Sequence, residues 1–560
     1  MNHIGIILRY KDLFDEEPHS IDSYLYGINR EILIDYAIYY CSLSTLIGLE
    51  VKNIFFAFLR ECDKETEYYQ TLTKKISNIV NNGTENPEIL NTRTSLKFFE
   101  LVKGRISHYS KDLTDIEVRQ KLLKVYLLLN GNNKIVSTTE NLKELVIANS
   151  LIYSIYSEIN CYHLRIAELI KSSLFLEYSK GQIPHHFKTF LKNYGIDRWQ
   201  EYTLYLHQIG MLIMERNIDE PVISITIPPD SKNYAKKVTF FDKFCIQEIY
   251  RNDLDFTRIK SCPVVKNCET GEYRIVFEQF FVEKMYKSLY FTFKEINDSF
   301  LGTDKYINPS TFRSDIGFKF SEKILMNRIL GDALGKKYKH LGYKELQKEG
   351  HPDYYIRDGK HILLFECKDN LIKKDVVESG DVDKFIIEMK HIFIKNERGK
   401  PKAFKQLINN IVAIRKGEFI EDKGIHRNNN VIYPIVIVHN SIFSLQGINS
   451  LLDEWFFTEL NLYDIDIKNI KNLTIIDINT LILFQGFISQ KNNSIRELID
   501  SYWKNYFTIC RKKYPTTEDV VNEFPIRFQS FSNYVENIFK AKNILTKEIK
   551  KYDDCFLEKD

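Results

Sequence analysis

Pro352-Asp353 stands twelve residues ahead of Glu366-Cys367-Lys368, and those residue types can do metal-assisted phosphoryl chemistry if the fold joins them. A hard cation such as Mg2+ takes oxygen ligands, keeps several waters and usually uses only one or two protein carboxylates. Such an ion polarises a phosphoryl oxygen and lowers the pKa of a bound water. A lysine beside it orients that water or stabilises charge developing on the phosphate.

The stretch between the two carboxylates reads as a β-hairpin. Asp358-Gly359 is a two-residue turn signal of the type I′ kind, which needs positive φ at both central positions. Tyr354-Tyr355-Ile356 lies on one side. Ile362-Leu363-Leu364-Phe365 lies on the other and is apolar on both faces, as a central strand would be. With 358 and 359 as the loop, Asp353 faces Leu364. Asp353 and Glu366 are then same-face diagonal neighbours, roughly 7–8 Å apart at the backbone. Period-two alternation puts Leu364, Glu366 and Lys368 on one face and turns Cys367 into the core. His351 falls opposite Glu366, at the open end of the hairpin, where a strand-entry role is the more ordinary one.

These residues resemble the motif of the PD-(D/E)XK nuclease superfamily. Glu-x-Lys alone is a weak signal, since Glu388-Met389-Lys390, Glu421-Asp422-Lys423 and Glu548-Ile549-Lys550 also carry it. Only the Glu366 copy ends an apolar strand, follows a hairpin turn and has Pro-Asp upstream. The resemblance covers roughly residues 305–490 and implies a restriction-endonuclease-like fold. It also implies Asp353 and Glu366 as metal ligands, Lys368 as the catalytic lysine, and Mg2+ as the ion, with Mn2+ able to substitute. Two further positions match it. Glu322, in Phe320-Ser321-Glu322-Lys323, fits the acidic residue of the first core helix and would complete the metal shell. Gln406, in Ala403-Phe404-Lys405-Gln406, fits a polar position on a later helix and would orient Lys368 or the phosphate.

The rest of the chain must position this set. At 560 residues it should hold two or three domains, and 44% hydrophobic residues suffice for real cores. Residues 1–215 read as mostly helical, through apolar spacing in Ile28–Ala37, Leu96–Val102 and Leu142–Leu176. This part would select substrate or bind a partner. Residues 216–300 read as a mixed connector, with strands near Val222–Ile227, Cys262–Val265 and Tyr273–Phe277, a turn at Glu269–Glu272 and a helix over Phe280–Ile296. The nuclease-like domain is expected over 301–490, with a first helix near Ser310–Leu334. After the hairpin come helices near 381–396 and 402–416 and strands at Val431–His439 and Leu473–Asp477. Residues 491–560 read as a helical extension, through Ile495–Asp500 and Ile544–Tyr552. The fold class is therefore a mostly α-helical N-terminal half plus a C-terminal α/β domain with a mixed central sheet.

Net charge is +3, from 78 basic and 75 acidic side chains, so any nucleic-acid footprint must be local. Nine scattered cysteines, no signal peptide and no long apolar run point to reduced thiols in a cytoplasm, with no membrane segment and no zinc ribbon. Cys161-Tyr162-His163 and His185-His186 lack further ligands at matching positions and read as core or surface. Gly331-Asp332-Ala333-Leu334-Gly335-Lys336-Lys337 is one residue short of a phosphate loop, lacks the following Ser or Thr, and follows a helix. Lys336-Lys337-Tyr338-Lys339-His340 can touch a phosphate backbone or simply end a helix. Tyr502–Phe507 with Arg511-Lys512-Lys513 reads mainly as core aromatics beside a solvated face.

The reading with most support is a Mg2+-dependent nuclease acting on DNA, with a nuclease-fold scaffold that does not cut, or an RNA-directed or repair nuclease, as alternatives. A helical module joined to such a domain points by analogy to bacterial defence against phage or foreign DNA. A homo-oligomer or a partner protein bound through the N-terminal half would fit the same reading.

Overall fold

The computed structural model describes residues 6–46, 58–59, 62–81, 87–105, 112–131, 161–217, 219–247, 256–348, 350–379, 381–425, 429–510 and 528–541. They form two compact units that interleave in sequence. The first contains the described residues up to 131, then 161–162 and 191–284. The second contains 163–190 and the described residues from 285 onward. The helical segment expected over 1–215 thus contributes to both units, and the 216–300 stretch divides at 284–285. The helix expected over Ile544–Tyr552, the basic run at 511–513 and most of Leu142–Leu176 lie outside the described residues.

In the first unit, helices Arg30–Leu43, Thr92–Lys103 and Asp115–Gly131 pack around a common core. Leu33, Ile34, Ala37, Ile38 and Cys41 bury one stripe of the first helix, at the helical spacing read from the sequence. Asn130 is buried and fully used. Its amide donates to the carbonyls of Leu8 (3.0 Å) and Ile89 (2.9 Å), and its oxygen accepts from Asn91 and Thr94. Strands β1 (Ser224–Ile225), β2 (Val264–Lys266) and β3 (Tyr273–Ile275) form an antiparallel sheet in the order β1-β3-β2. Gly271, at φ +71°, serves the turn expected between β2 and β3. The helix expected over Phe280–Ile296 is two helices, Glu278–Glu283 and Leu289–Asp298.

The second unit is built on a mixed five-stranded sheet. Its strands are β4 (Lys339–Leu341), β5 (Tyr354–Asp358), β6 (His361–Lys368), β7 (Val431–Val438) and β8 (Thr474–Asp477), in the order β8-β7-β6-β5-β4. β4, β5 and β6 are antiparallel neighbours, whereas β6, β7 and β8 run parallel. A parallel return requires a crossover. Helices Val382–Phe393 and Ala403–Lys416 supply it between β6 and β7, and Ile448–Leu460 supplies it between β7 and β8. The apolar runs of β6 and β7 are buried along nearly their whole length, as their position at the middle of the sheet demands. Pro434 is tolerated inside β7 for a local reason. Ile432 spends its N–H and carbonyl on Asn469 and Lys471, so Pro434, two residues on, turns its missing donor toward that same outer side rather than toward β6.

A continuous helical run from Pro309 to Gly335 packs against β6. Asn308 caps it by accepting from the Ser310 N–H at 3.0 Å. Residues Arg313–Met326 are π-wound, a rare winding met most often as a single turn near functional sites.

β4 is the one strand of this sheet that the sequence pattern does not announce. It holds part of the basic run 336–340, and the structure spends two of those lysines internally. Lys337 donates to the carbonyls of Ile488 and Gln490 at 2.8 Å and to that of Asn493, tying off a helix end. Lys339 pairs with Asp422 at 3.0 Å. Asp422 also accepts from Arg357 Nε (2.6 Å), Tyr355 Oη (2.9 Å) and the Gly424 N–H (2.9 Å), with its side chain wholly buried. A Cβ on Gly424 would collide with Arg357. This hub pins the outer strands β4 and β5. Burial alone would raise the Asp422 pKa, but Arg357, the Gly424 amide, Lys339 and Tyr355 overcome it and hold the carboxyl well below its usual range. Its stabilisation is therefore present above the unfolded carboxyl pKa and is lost as pH falls toward the folded value. Asp422→Ala is expected to cost about 1.5–3 kcal/mol at pH 7, with the gap to wild type closing in strong acid, as denaturant melts across pH would show.

Candidate active site

The hairpin forms, with a turn one residue later than the sequence suggests. Asp358 pairs with His361, so Gly359 and Lys360 are the loop. Gly359 has φ +58° and Lys360 is not left-handed, which selects a type II′ turn over type I′. Glycine at the first loop position is all that this turn requires, and Asp358 stays on its strand. The register shifts accordingly: Tyr354 pairs with Phe365 and Tyr355 with Leu364. The pairing ends there, and Asp353, the next residue, does not lie opposite Leu364. Asp353 therefore meets β6 over the Phe365–Cys367 stretch that carries Glu366, beyond the end of the regular ladder.

Asp353 lies just past the last strand pair. Its N–H donates to the Phe365 carbonyl at 3.0 Å, and its Oδ2 accepts from the Cys367 N–H at 2.7 Å. The side chain thus takes the place of a strand carbonyl and is fixed in direction. Glu366 is 1% exposed in the middle of the sheet. Its Oε1 accepts from Lys368 Nζ at 2.8 Å, and its Oε2 is buried with no hydrogen-bond partner among the described residues. Cys367 points the other way, as expected, with Sγ 3.3 Å from His439 Nε2.

Glu322 joins the set from the π-wound helix. Burial, and then the Asp353 charge, push its pKa to about 7. Glu366 is pushed to about 8, again by burial first and Asp353 second. Burial also raises Asp353, against the pull of Lys368 and of the Cys367 amide. For Lys368 burial favours the neutral form, but Glu366 and Asp353 outweigh it and keep the ammonium protonated. Three carboxylates and one ammonium thus share one electrostatic neighbourhood. An orphaned buried oxygen facing hard-oxygen donors suits a divalent cation.

The three carboxylates are spaced more widely than the ligands of a closed metal shell. Among the described residues, the trio of ligand atoms lying within 4.8 Å of one another is Glu388, His391 and Glu397. There the Lys373 ammonium already sits 2.7 Å from Glu397 and 3.4 Å from Glu388, which makes a surface salt-bridge cluster. At Glu366 the bound Lys368 and like-charge repulsion account for the wider spacing.

Gln406 is on helix Ala403–Lys416, which packs against β6, but its side chain makes no hydrogen bond to Lys368. His351 does not turn to Glu366. Its Nε2 meets Glu421 Oε1 at 3.0 Å, because the shifted register leaves it outside the ladder. His186 is buried against Asn297 at 3.0 Å, and Tyr502 and Trp503 are core, in line with their ordinary structural reading.

Two residues escape the sequence pattern. Asp369, directly after Lys368, accepts from the Ser321 hydroxyl. Lys402 precedes helix Ala403–Lys416, and its ammonium makes no ion pair or hydrogen bond among the described residues. Burial, then the nearby Lys368 charge, lower its pKa. The lysine before a helix start was the available signal, since cations there are unfavourable unless an anion arrives.

No family model, no curated protein and no solved structure matches this chain.

A carboxyl raised from its ordinary value favours the protonated folded state. That contribution is full below about pH 4.5 and is lost as pH climbs through about 8. Glu366→Gln, which stays neutral, should therefore stabilise the protein in EDTA at pH 9 by about 0.5–2 kcal/mol and leave it nearly unchanged at pH 5. Thermal melts at the two pH values check this, and a loss of stability at pH 9 would contradict it.

Proposed function

We propose that this chain is a divalent-metal-dependent nuclease that hydrolyses phosphodiester bonds, in DNA by preference. The observation that carries this reading is the pairing of Asp353, aimed by the Cys367 amide, with the buried unpartnered oxygen of Glu366, with Lys368 on the other Glu366 oxygen. A set of buried like charges is costly to hold for structure alone, so a scaffold role gives no reason for it.

Asp353 and Glu366 would hold Mg2+ or Mn2+, and Glu322 would add a third oxygen. When bound, the ion supplies Lewis acidity and an activated water. Without the ion, Glu366 and Asp353 hold the Lys368 ammonium protonated. It would orient that water and stabilise negative charge on the phosphate. Lys402 and the start of helix Ala403–Lys416 add positive potential on the same side, where a phosphate would gain from both. Gln406 would orient the phosphate. The sheet order β8-β7-β6-β5-β4 with the motif on β5 and β6 supports a restriction-endonuclease-like reading of the second unit. The first unit would choose the substrate or a partner, in keeping with restriction of foreign DNA.

Purified protein with Mg2+ or Mn2+ should cut plasmid or linear DNA. Asp353→Asn and Lys368→Ala should each lose about 100-fold or more in rate with the fold intact by circular dichroism. Gln406→Ala should lose about 10–100-fold. Nicked plasmid would mark an endonuclease, and matched RNA substrates test the preference for DNA over RNA. Cutting by Asp353→Asn at the wild-type rate would overturn the reading.

A further inference from the structure

A half-open cleft in the second unit lies next to the carboxylate site and is not used by it. Its enclosed cavity volume is only about 70 Å³, and the open space at its mouth brings the total to about 730 Å³, so a ligand would lie largely in the mouth. Tyr286, Tyr290, Phe291, Arg313, Asp369 and Asn440 are among its lining residues. Cleft and site are joined by two pairs of consecutive residues. Glu322 belongs to the site, and its neighbour Ser321 donates to Asp369 in the cleft wall. Lys368 belongs to the site, and Asp369 follows it. Asp369 is one residue from Lys368, and Phe320, which also lines the cleft, is two residues from Glu322, so the cleft lies close to the carboxylate site along both elements.

The cleft offers three kinds of contact. Tyr290 and Phe291 form an aromatic wall, with ring centroids 5.5 Å apart, and Phe291 is 45% exposed there, unusual for a phenylalanine inside a folded unit. The Arg313 guanidinium lies over the Phe318 ring at 5.3 Å and makes no ion pair or side-chain hydrogen bond among the described residues, so no anion there neutralises its charge. By contrast Lys171, deeper in the cleft, is already paired with Glu168 at 2.5 Å. At the inner rim, Asp369 spends one carboxylate oxygen on Ser321. Asn440 uses its oxygen to accept from the Ile442 N–H, leaving its amide donors for another group.

A planar ring, a donor–acceptor edge and a single anion describe a nucleotide. We propose that this cleft binds one nucleotide unit, with its base on the Tyr290–Phe291 wall, the base edge on Asp369 and Asn440, and its phosphate on Arg313. Stacking on aromatic faces with a nearby cation is the usual means of holding an unpaired base. Two sources present that chemistry: the nucleotide of a bound strand beside the scissile phosphate, or a free nucleotide. Only the strand source rests on the nuclease reading.

The test measures binding to the full-length protein in EDTA, so that cleavage plays no part. One arm titrates deoxynucleoside 5′-monophosphates by calorimetry, with ribose 5-phosphate and inorganic phosphate as base-free probes. The other titrates a labelled single-stranded oligonucleotide, intact or with abasic positions scanned along it. Phe291→Ala and Arg313→Gln, both at half-buried or exposed positions, should weaken binding at least tenfold without shifting the melting temperature. The base-free probes should bind at least tenfold more weakly than the nucleotides. An abasic position that costs tenfold or more in the oligonucleotide assigns the strand source, and tight binding of the monophosphate alone assigns the free one. Equal binding of ribose 5-phosphate, no binding in either arm, or variants that bind like wild type would overturn the proposal. Absence of DNA cutting with metal would remove the nuclease reading without altering these titrations, so the two failures are distinguishable.

Discussion

Mutual repulsion between two carboxylates, held out of water at one end of a hairpin, is the constraint on which the second unit is built. Asp353 and Glu366 would separate or protonate if left to themselves. The strand pairing of β5 and β6 prevents the first. The Cys367 amide and the Lys368 ammonium limit the second. What remains uncompensated is one buried oxygen of Glu366 and the half-buried carboxyl of Glu322. Such a remainder of unsatisfied charge is costly to the fold, and the proposed cation would offset that cost.

The surrounding structure is arranged to keep that hairpin from yielding. β6 is paired with β7 along its full length on one edge and with β5 over His361–Phe365 on the other. The outer strands are fixed by Asp422, one buried acceptor that gathers Lys339, Tyr355 and Arg357. The helical run Pro309–Gly335 and helix Ala403–Lys416 press on β6, and Glu322 and Lys402 come within electrostatic reach of Lys368. Rigidity of this kind is what a site with charge to place within fractions of an ångström requires.

Much of this is legible in the sequence because it is local. The apolar runs at 362–365 and 431–438, the helical spacing over 310–334 and the Glu366–Lys368 alternation depend on periodicity alone, and all appear where expected. The turn is harder. Asp358-Gly359 satisfies type I′ and, one residue later, Gly359 alone satisfies type II′; only the pairing of Asp358 with His361 distinguishes them. That one-residue choice moves Asp353 from opposite Leu364 to the Phe365–Cys367 stretch of β6 and sends His351 to Glu421. The basic run 336–340 misleads for another reason: its lysines are consumed by partners some 80 to 150 residues away, Asp422 among them, which no local pattern announces. The Arg313 cleft is invisible likewise, since its walls come from three distant stretches, 168–175, 286–320 and 369–440.

The most direct test of the central claim is a Mn2+ titration of the intact protein at pH 8, followed by electron paramagnetic resonance. Wild type is expected to bind the ion at a site that Glu366→Gln and Asp353→Asn both abolish while remaining folded, and that Glu388→Gln leaves intact. Mn2+ binding that survives both motif substitutions, or that only Glu388→Gln removes, would contradict the assignment of the buried carboxylate pair as the metal centre.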